Sequence, residues 1–328
     1  MLRSETAAAP DRFAAAMAGL AAYQRAPRGA PPPPPPGRHV AGRAMLRDYG
    51  GGGRPVVFVP SLINPPTILD LDAERSMLRW LAARGGAHVW LVDWGTPLPG
   101  DRDLDLAGHV AHFLLPLLAA FDTPPVLVGY CLGGTLAIAA AALAEVAGLA
   151  TIAAPWRFAG YGDARVAMRA LWAQARPACD LLGLLPMEVL QAGFWQLDPA
   201  RTIAKYEAFG RLAPDDPAAR AFVLLEDWAN AGAPLTFAAG EALFTDCVDA
   251  DLPGTGAWRV GGVAIDPARL RCPAIEFVSR TDRIVPAATA AGVGDRRALS
   301  IGHVGMVVGG RARAQLWEPL ADWIAALG

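Results

Sequence analysis

The sequence predicts an α/β fold with a mostly parallel central sheet and a helical cap insertion, and three observations carry that reading. First, five short apolar runs have the length of strands buried on both faces: PVVFVP at 55–60, AHVWLVDW at 87–94, VLVGY at 126–130, GLATIAA at 148–154 and PAIEFVS at 273–279. Second, helical segments separate the early runs, as crossovers between parallel strands require. Third, the alternation stops between about Pro155 and Leu270, where RVAMRALWAQA, MEVLQAGFWQL and FVLLEDWANAG read as helices without clear strands. An insertion of that size is expected to cap the carboxyl edge, where open α/β sheets bind ligands.

The elements follow in chain order. In residues 1–37, Phe13, Met17, Leu20 and Tyr23 recur at helical spacing and predict a short amphipathic helix that docks on the chain itself. The closing GAPPPPPPG can form neither helix nor interior strand and reads as an extended linker. Residues 38–328 then form the main domain, with the cap at about 155–270. The stretch from Leu136 to Pro155 is apolar enough to suggest a membrane span, but Glu145 and Gly148 interrupt it, so a buried helix followed by a buried strand explains it better. FAAAMAGLAAY lacks the clean basic region of a secretory signal.

Composition narrows the function. The 29 basic and 31 acidic residues leave a formal charge of −2, which gives no reason to expect a nucleic-acid partner. Cys131, Cys179, Cys247 and Cys272 are scattered and form neither CxxC nor zinc spacing, so reduced thiols in a cytoplasm and no metal site are expected.

One stretch carries chemistry. PPVLVGYCLGGTLAIAAAAL reads as strand, sharp turn and alanine-rich helix, with Cys131 on the turn. G-Y-C-L-G-G is the pattern of a nucleophile elbow, with cysteine in the usual place of serine. In α/β-hydrolases the acid and then the histidine follow the elbow. Asp282 comes just past a strand end in EFVSRTDRIVP, and His303 lies in the glycine-framed SIGHVGMVVGG, so the order matches. His39, His88, His109 and His112 lack such surroundings and read as surface or helix-face residues, with His39 ahead of the sheet; Cys179, Cys247 and Cys272 read as small hydrophobes. A thiol at a helix N-terminus beside an imidazole ionises readily. The oxyanion formed by its attack would be received by the backbone N–H of Leu132 and by one from VFVPSLINPP, assigned to Leu62. Trp172, Phe194, Trp195 and Trp228 read as core more than as substrate wall.

With these residues in view, the chain resembles the polyhydroxyalkanoate synthase family and is closest in size to the class III catalytic subunits. The resemblance rests on VGYCLGGT, PSLINPPTILDLDAERSMLRWLAARGGAHVWLVDWGTP, LEDWANAGAPL, AWRVGGVAIDPARLRCPAIEFVSRTDRIVP and GHVGMVVG, which together span most of residues 40–310. It implies that Cys131 is acylated by a 3-hydroxyacyl-coenzyme A, with His303 as base and Asp282 as acid, and that a hydroxyl of a second hydroxyacyl group lengthens the chain into polymer. Coenzyme A thioester is then substrate, and no cofactor is implied. A second synthase subunit or further copies of the chain are the implied partners, with a cytoplasmic location at polyester granules. Asp93 and Trp94 match a family motif and read as structural supports. The chain departs from the family in its shorter length, in the closeness of Asp282 to His303, and in its proline-rich N-terminal region. A cysteine hydrolase on the same scaffold (thioesterase, esterase or intracellular depolymerase) stays open as the alternative.

Overall fold

The computed structural model describes residues 2–29 and 33–328. Eight strands form the central sheet: β1 Gly37–Ala41, β2 Ala44–Gly51, β3 Arg54–Val59, β4 Ala87–Asp93, β5 Val126–Tyr130, β6 Gly148–Ile152, β7 Ala274–Ser279 and β8 Asp295–Leu299. Their order across the sheet is β1-β2-β4-β3-β5-β6-β7-β8. From β4 to β8 every pairing is parallel, and β1 and β2 add an antiparallel edge. The five apolar runs read from the sequence are therefore β3 to β7. All five residues of β5 and of β6 are buried, which is why those segments are continuously apolar and do not alternate.

The sheet edges are less apolar. β1 reads GRHVA and β8 reads DRRAL, each with a single buried residue, as expected where a strand has one neighbour and solvent beyond it. His39 therefore lies within β1 and not ahead of the sheet.

Chain order reverses beside β3: β4 lies on one side of it and β5 on the other. Such a switch point opens a crevice at the carboxyl ends of the strands. The register lines those ends up, pairing Val59 with Gly129, Tyr130 with Ile152, Ile152 with Phe277 and Ser279 with Leu299. The loops that leave β3, β5, β6, β7 and β8 thus start from one edge. The helix Leu132–Leu143 follows β5 directly and is buried over ten residues, so Leu136 to Pro155 holds a buried helix and a buried strand joined by a short turn at 144–147, where Glu145 is exposed. Among the described residues no helix is long and apolar enough to cross a membrane.

The chain forms two compact units: the sheet unit, Pro34–Pro186 with Ala233–Gly328, and a helical unit that joins the segment up to Pro33 to Met187–Gly232. The helix Ala164–Leu182 belongs to the sheet unit, where Trp172 is 5% exposed and stacks on Phe244 with ring centroids 5.2 Å apart. In the helical unit, Phe13, Met17, Leu20 and Tyr23 fall on the helix Pro10–Arg25. Tyr23 packs on Tyr206, Phe209 and Phe222, and its hydroxyl donates to Asp227. Tyr206 donates to Glu226, which Lys205 also pairs with, so the buried polar atoms of this aromatic cluster are satisfied. Of the proline run, Ala30 to Pro32 lie outside the described residues, and Pro33 to Pro36 form neither helix nor strand.

Candidate active site

β5 ends at Tyr130, and the helix begins at Leu132. Cys131, between them, takes φ 55° and ψ −133°, a conformation that residues other than glycine rarely adopt. The turn is pinned at both ends: the Cys131 N–H donates to Ile152 O at 2.9 Å, and its carbonyl accepts the Gly134 N–H at 2.8 Å. Glycine is required at 133 by a close approach, because a Cβ there would stand 2.2 Å from Val59 O and 2.4 Å from Pro60 O. The elbow thus leans on the loop that leaves β3, next to Leu62. Neither the Leu62 nor the Leu132 N–H donates to a protein acceptor among the described residues.

Asp282 follows β7 and His303 follows β8, and each is 8% exposed. The Asp282 carboxylate is held by its own loop, where Oδ1 accepts the N–H groups of Ile284 at 2.8 Å and Val285 at 2.9 Å. Its other oxygen lies 2.6 Å from His303 Nδ1. With Nδ1–H donating to Asp282, Nε2 is left for the sulfur. Burial alone pushes the imidazolium pKa down. The negative charge of Cys131, the hydrogen bonds with Asp282 and Cys131 and the charge of Asp282 outweigh it, carrying the pKa up to about 10. The structure therefore brings Cys131, Asp282 and His303 together.

The remaining histidines are placed elsewhere. His88 pairs with Asp48 and stacks on Trp90. His109 lies on a helix, His109–Leu114, but not at the surface: it is 1% exposed and bonded to Arg43, a residue far away in sequence. Cys179 and Cys247 are buried and Cys272 partly so; burial raises all three thiol pKa values.

Two tyrosines at the site were not singled out from the sequence. Tyr130 stacks on the His303 ring, with centroids 5.1 Å apart and planes at 28°, and fixes its face. Tyr161 ends a one-turn helix, Phe158–Tyr161, whose Phe158 and Ala159 N–H groups donate to Asp251 at 2.7 and 3.1 Å. Burial, then the charges of Cys131 and Asp282, raise both phenol pKa values well above the usual range, so each phenol stays protonated. Tyr130 could have been noticed beside Cys131 in GYC. Tyr161 carries no such local signal.

No known family profile matches the chain. Among curated proteins, it is 26% identical over 292 residues to the poly(3-hydroxyalkanoate) polymerase subunit PhaC of Haloferax mediterranei, covering 83% of this chain and 58% of that protein. The corresponding subunit of Haloarcula marismortui is 26% identical over 287 residues, covering 82% and 60%. That of Thiocystis violacea is 25% identical over 289 residues, covering 82% and 80%. The chain thus spans less than two thirds of the first two relatives and most of the third. Among solved structures, VinJ superposes with a TM-score of 0.51 at 19% identity, covering 90% of this chain and 100% of that one. BpoC from Mycobacterium tuberculosis H37Rv gives 0.51 at 15%, covering 88% and 98%. At such identities these two speak for the fold alone. The chain has the α/β-hydrolase fold and, over more than four fifths of its length, resembles the PhaC subunits of polyhydroxyalkanoate synthases.

Proposed function

We propose that the chain is the catalytic subunit of a polyhydroxyalkanoate synthase and transfers 3-hydroxyacyl groups through a thioester on Cys131. The observation that carries the reading is the buried His303–Asp282 pair, 2.6 Å apart, facing a cysteine on a strained elbow in a chain similar to PhaC subunits. Cys131 sulfur attacks the thioester carbonyl of a 3-hydroxyacyl-coenzyme A. The resulting oxyanion is received by the N–H groups of Leu132 and Leu62. The C–S bond to coenzyme A then breaks, and the His303 imidazolium gives its proton to the departing thiolate. In the second half, a hydroxyl of another hydroxyacyl group attacks the Cys131 thioester. Its proton passes to His303, the ester C–O bond forms, and the Cys131 sulfur leaves. Asp282 fixes the imidazole tautomer throughout and stabilises its charged form. Coenzyme A enters as the carrier of the substrate, and the mechanism uses no other cofactor or metal. The relatives are named as subunits, which supports a second subunit or further copies of this chain as partner. A polyester granule surface in the cytoplasm is the matching location.

Incubation of the purified chain with 3-hydroxybutyryl-coenzyme A tests the reading. Coenzyme A release with an acyl adduct on Cys131 and oligomers in the mass spectrum is the expected result. Stoichiometric free 3-hydroxybutyrate without oligomers, whether or not a synthase partner subunit is supplied, would establish the hydrolase instead.

A further inference from the structure

The loop that leaves β3 is fixed at two points, with one amide between them. Trp94, 6% exposed and the first residue after β4, donates its indole N–H to Pro60 O at 3.0 Å. This is the same oxygen that a Cβ on Gly133 would approach to 2.4 Å, so the indole grips the loop where it meets the elbow. One residue on, the Ser61 hydroxyl accepts the Ile63 N–H at 3.0 Å. The two bonds bracket Leu62, whose own N–H donates to no protein acceptor among the described residues. Turning the Pro60 carbonyl would turn the planar Pro60–Ser61 peptide, the unit immediately before the one that carries the Leu62 N–H.

Trp94 is itself held from behind. Its ring meets the His109 ring edge-on, with centroids 6.0 Å apart and planes at 78°. Arg43 Nη2 donates to His109 Nε2 at 2.9 Å, and His109 Nδ1–H donates to Asp105 O at 2.7 Å, so both ring nitrogens are committed in the neutral tautomer. Burial, helped by the Arg43 charge, lowers the His109 pKa to about 4 and keeps the ring uncharged at neutral pH. Arg43 lies over the Phe113 ring at 4.8 Å, and its Nε, buried, has no hydrogen-bond partner among the described residues. A buried unpaired donor costs stability, and such a cost is often borne where a geometry is being enforced.

We propose that Trp94, backed by the buried Arg43–His109 pair, is a positioning residue that aims the Leu62 N–H at the acyl oxygen as it becomes an oxyanion during attack by Cys131. The proposal rests on the reading of Cys131 as the acylated nucleophile. Two reactions of that sulfur separate positioning from general damage. Attack on an acyl-coenzyme A or a p-nitrophenyl ester develops an oxyanion, whereas alkylation by iodoacetamide does not.

Trp94→Phe keeps a ring against His109 and removes the indole N–H. It should slow acylation of Cys131 by 3-hydroxybutyryl-coenzyme A and by p-nitrophenyl acetate by about 10-fold or more in kcat, with KM little changed, while iodoacetamide alkylates at the wild-type rate. Ser61→Ala, which removes the other bracket, should give the same split at smaller size and decides the matter if Trp94→Phe fails to fold. Equal losses in acylation and alkylation, or no loss of acylation, would overturn the proposal. A wild-type chain acylated by the p-nitrophenyl ester but not by the coenzyme A thioester would fail as a synthase, and the ester would still report on Trp94.

Discussion

Replacing Asp282 by Asn separates the fold of the acid loop from its chemistry. Asp282 Oδ1 accepts two backbone N–H groups, at 2.8 and 2.9 Å, and Oδ2 faces His303 Nδ1 at 2.6 Å. Asparagine keeps one oxygen for the two amides, so the loop should persist. Its NH2 group then meets Nδ1–H, and two donors oppose each other. The ring escapes by taking the other tautomer, which puts its proton on Nε2, toward the sulfur, and removes the base. Loss of a hydrogen bond to a charged group costs about 1.5–3 kcal/mol, or roughly 10- to 150-fold in rate. The tautomer change adds to this; the same substitution in a serine triad costs about 10⁴-fold. Acylation of Cys131 should therefore fall by roughly 10²- to 10⁴-fold, followed by rapid quench and intact-protein mass spectrometry. The His303 pKa, held up to about 10 partly by the bond to Asp282 and its charge, should fall as well. An Asp282→Asn chain that folds and acylates within about threefold of wild type would refute the assignment, since the hydrogen-bond loss alone exceeds that.

Cys131→Ala should abolish both the acyl adduct and coenzyme A release, because the other thiols are wholly or partly buried and raised in pKa; an adduct that persists elsewhere in the chain would displace Cys131 from its role. Tyr161→Phe removes a phenol that burial and the charges of Cys131 and Asp282 keep protonated; loss of one hydrogen bond from it to the substrate would lower kcat/KM for 3-hydroxybutyryl-coenzyme A by about 10-fold, and an unchanged value would leave the phenol out of the reaction. His109 has a folded pKa of about 4 against about 6.5 when unfolded, so on acidification the unfolded chain takes up its proton first. Stability from this group is complete above pH 6.5 and is lost as pH falls through 4, by up to about 3 kcal/mol. The stability difference between wild type and His109→Gln, from urea unfolding followed by tryptophan fluorescence, should shrink across that window, and a constant difference would refute the buried neutral ring.

The interior of the fold was legible because central strands must be apolar on both faces. PVVFVP, AHVWLVDW, VLVGY, GLATIAA and PAIEFVS therefore stand out, and each proved to be a strand. GRHVA and DRRAL do not stand out, since an edge strand keeps its backbone pairing on one side while most of its side chains meet solvent. His109 escaped for a different reason. Nothing in its own segment announces a buried ring, because the guanidinium that satisfies it comes from the turn between β1 and β2, brought across by sheet pairing.

The same contrast runs through the candidate site. Cys131 and Asp282 each sit just past the carboxyl end of a strand, so a reading that locates β5 and β7 also locates them, while His303 shows through its glycine-framed loop; parallel register brings the three loops to one edge. Tyr161 and Trp94 stand out only through what they reach in three dimensions, and a lone aromatic in a sequence reads as core. Why the elbow carries cysteine is a question of energetics. A serine that accepts an acyl group from coenzyme A forms an oxygen ester and dissipates most of the transfer potential, whereas a cysteine exchanges one thioester for another at little free-energy change. On the proposed reading, the acyl group bound to Cys131 therefore keeps enough potential to form an ester with an incoming hydroxyl. A hydrolase gains nothing from that reserve, since water attacks either ester downhill. On that reading a cysteine at the elbow favours transfer, and the amides of Leu62 and Leu132 would serve attack by thiolate and by hydroxyl alike.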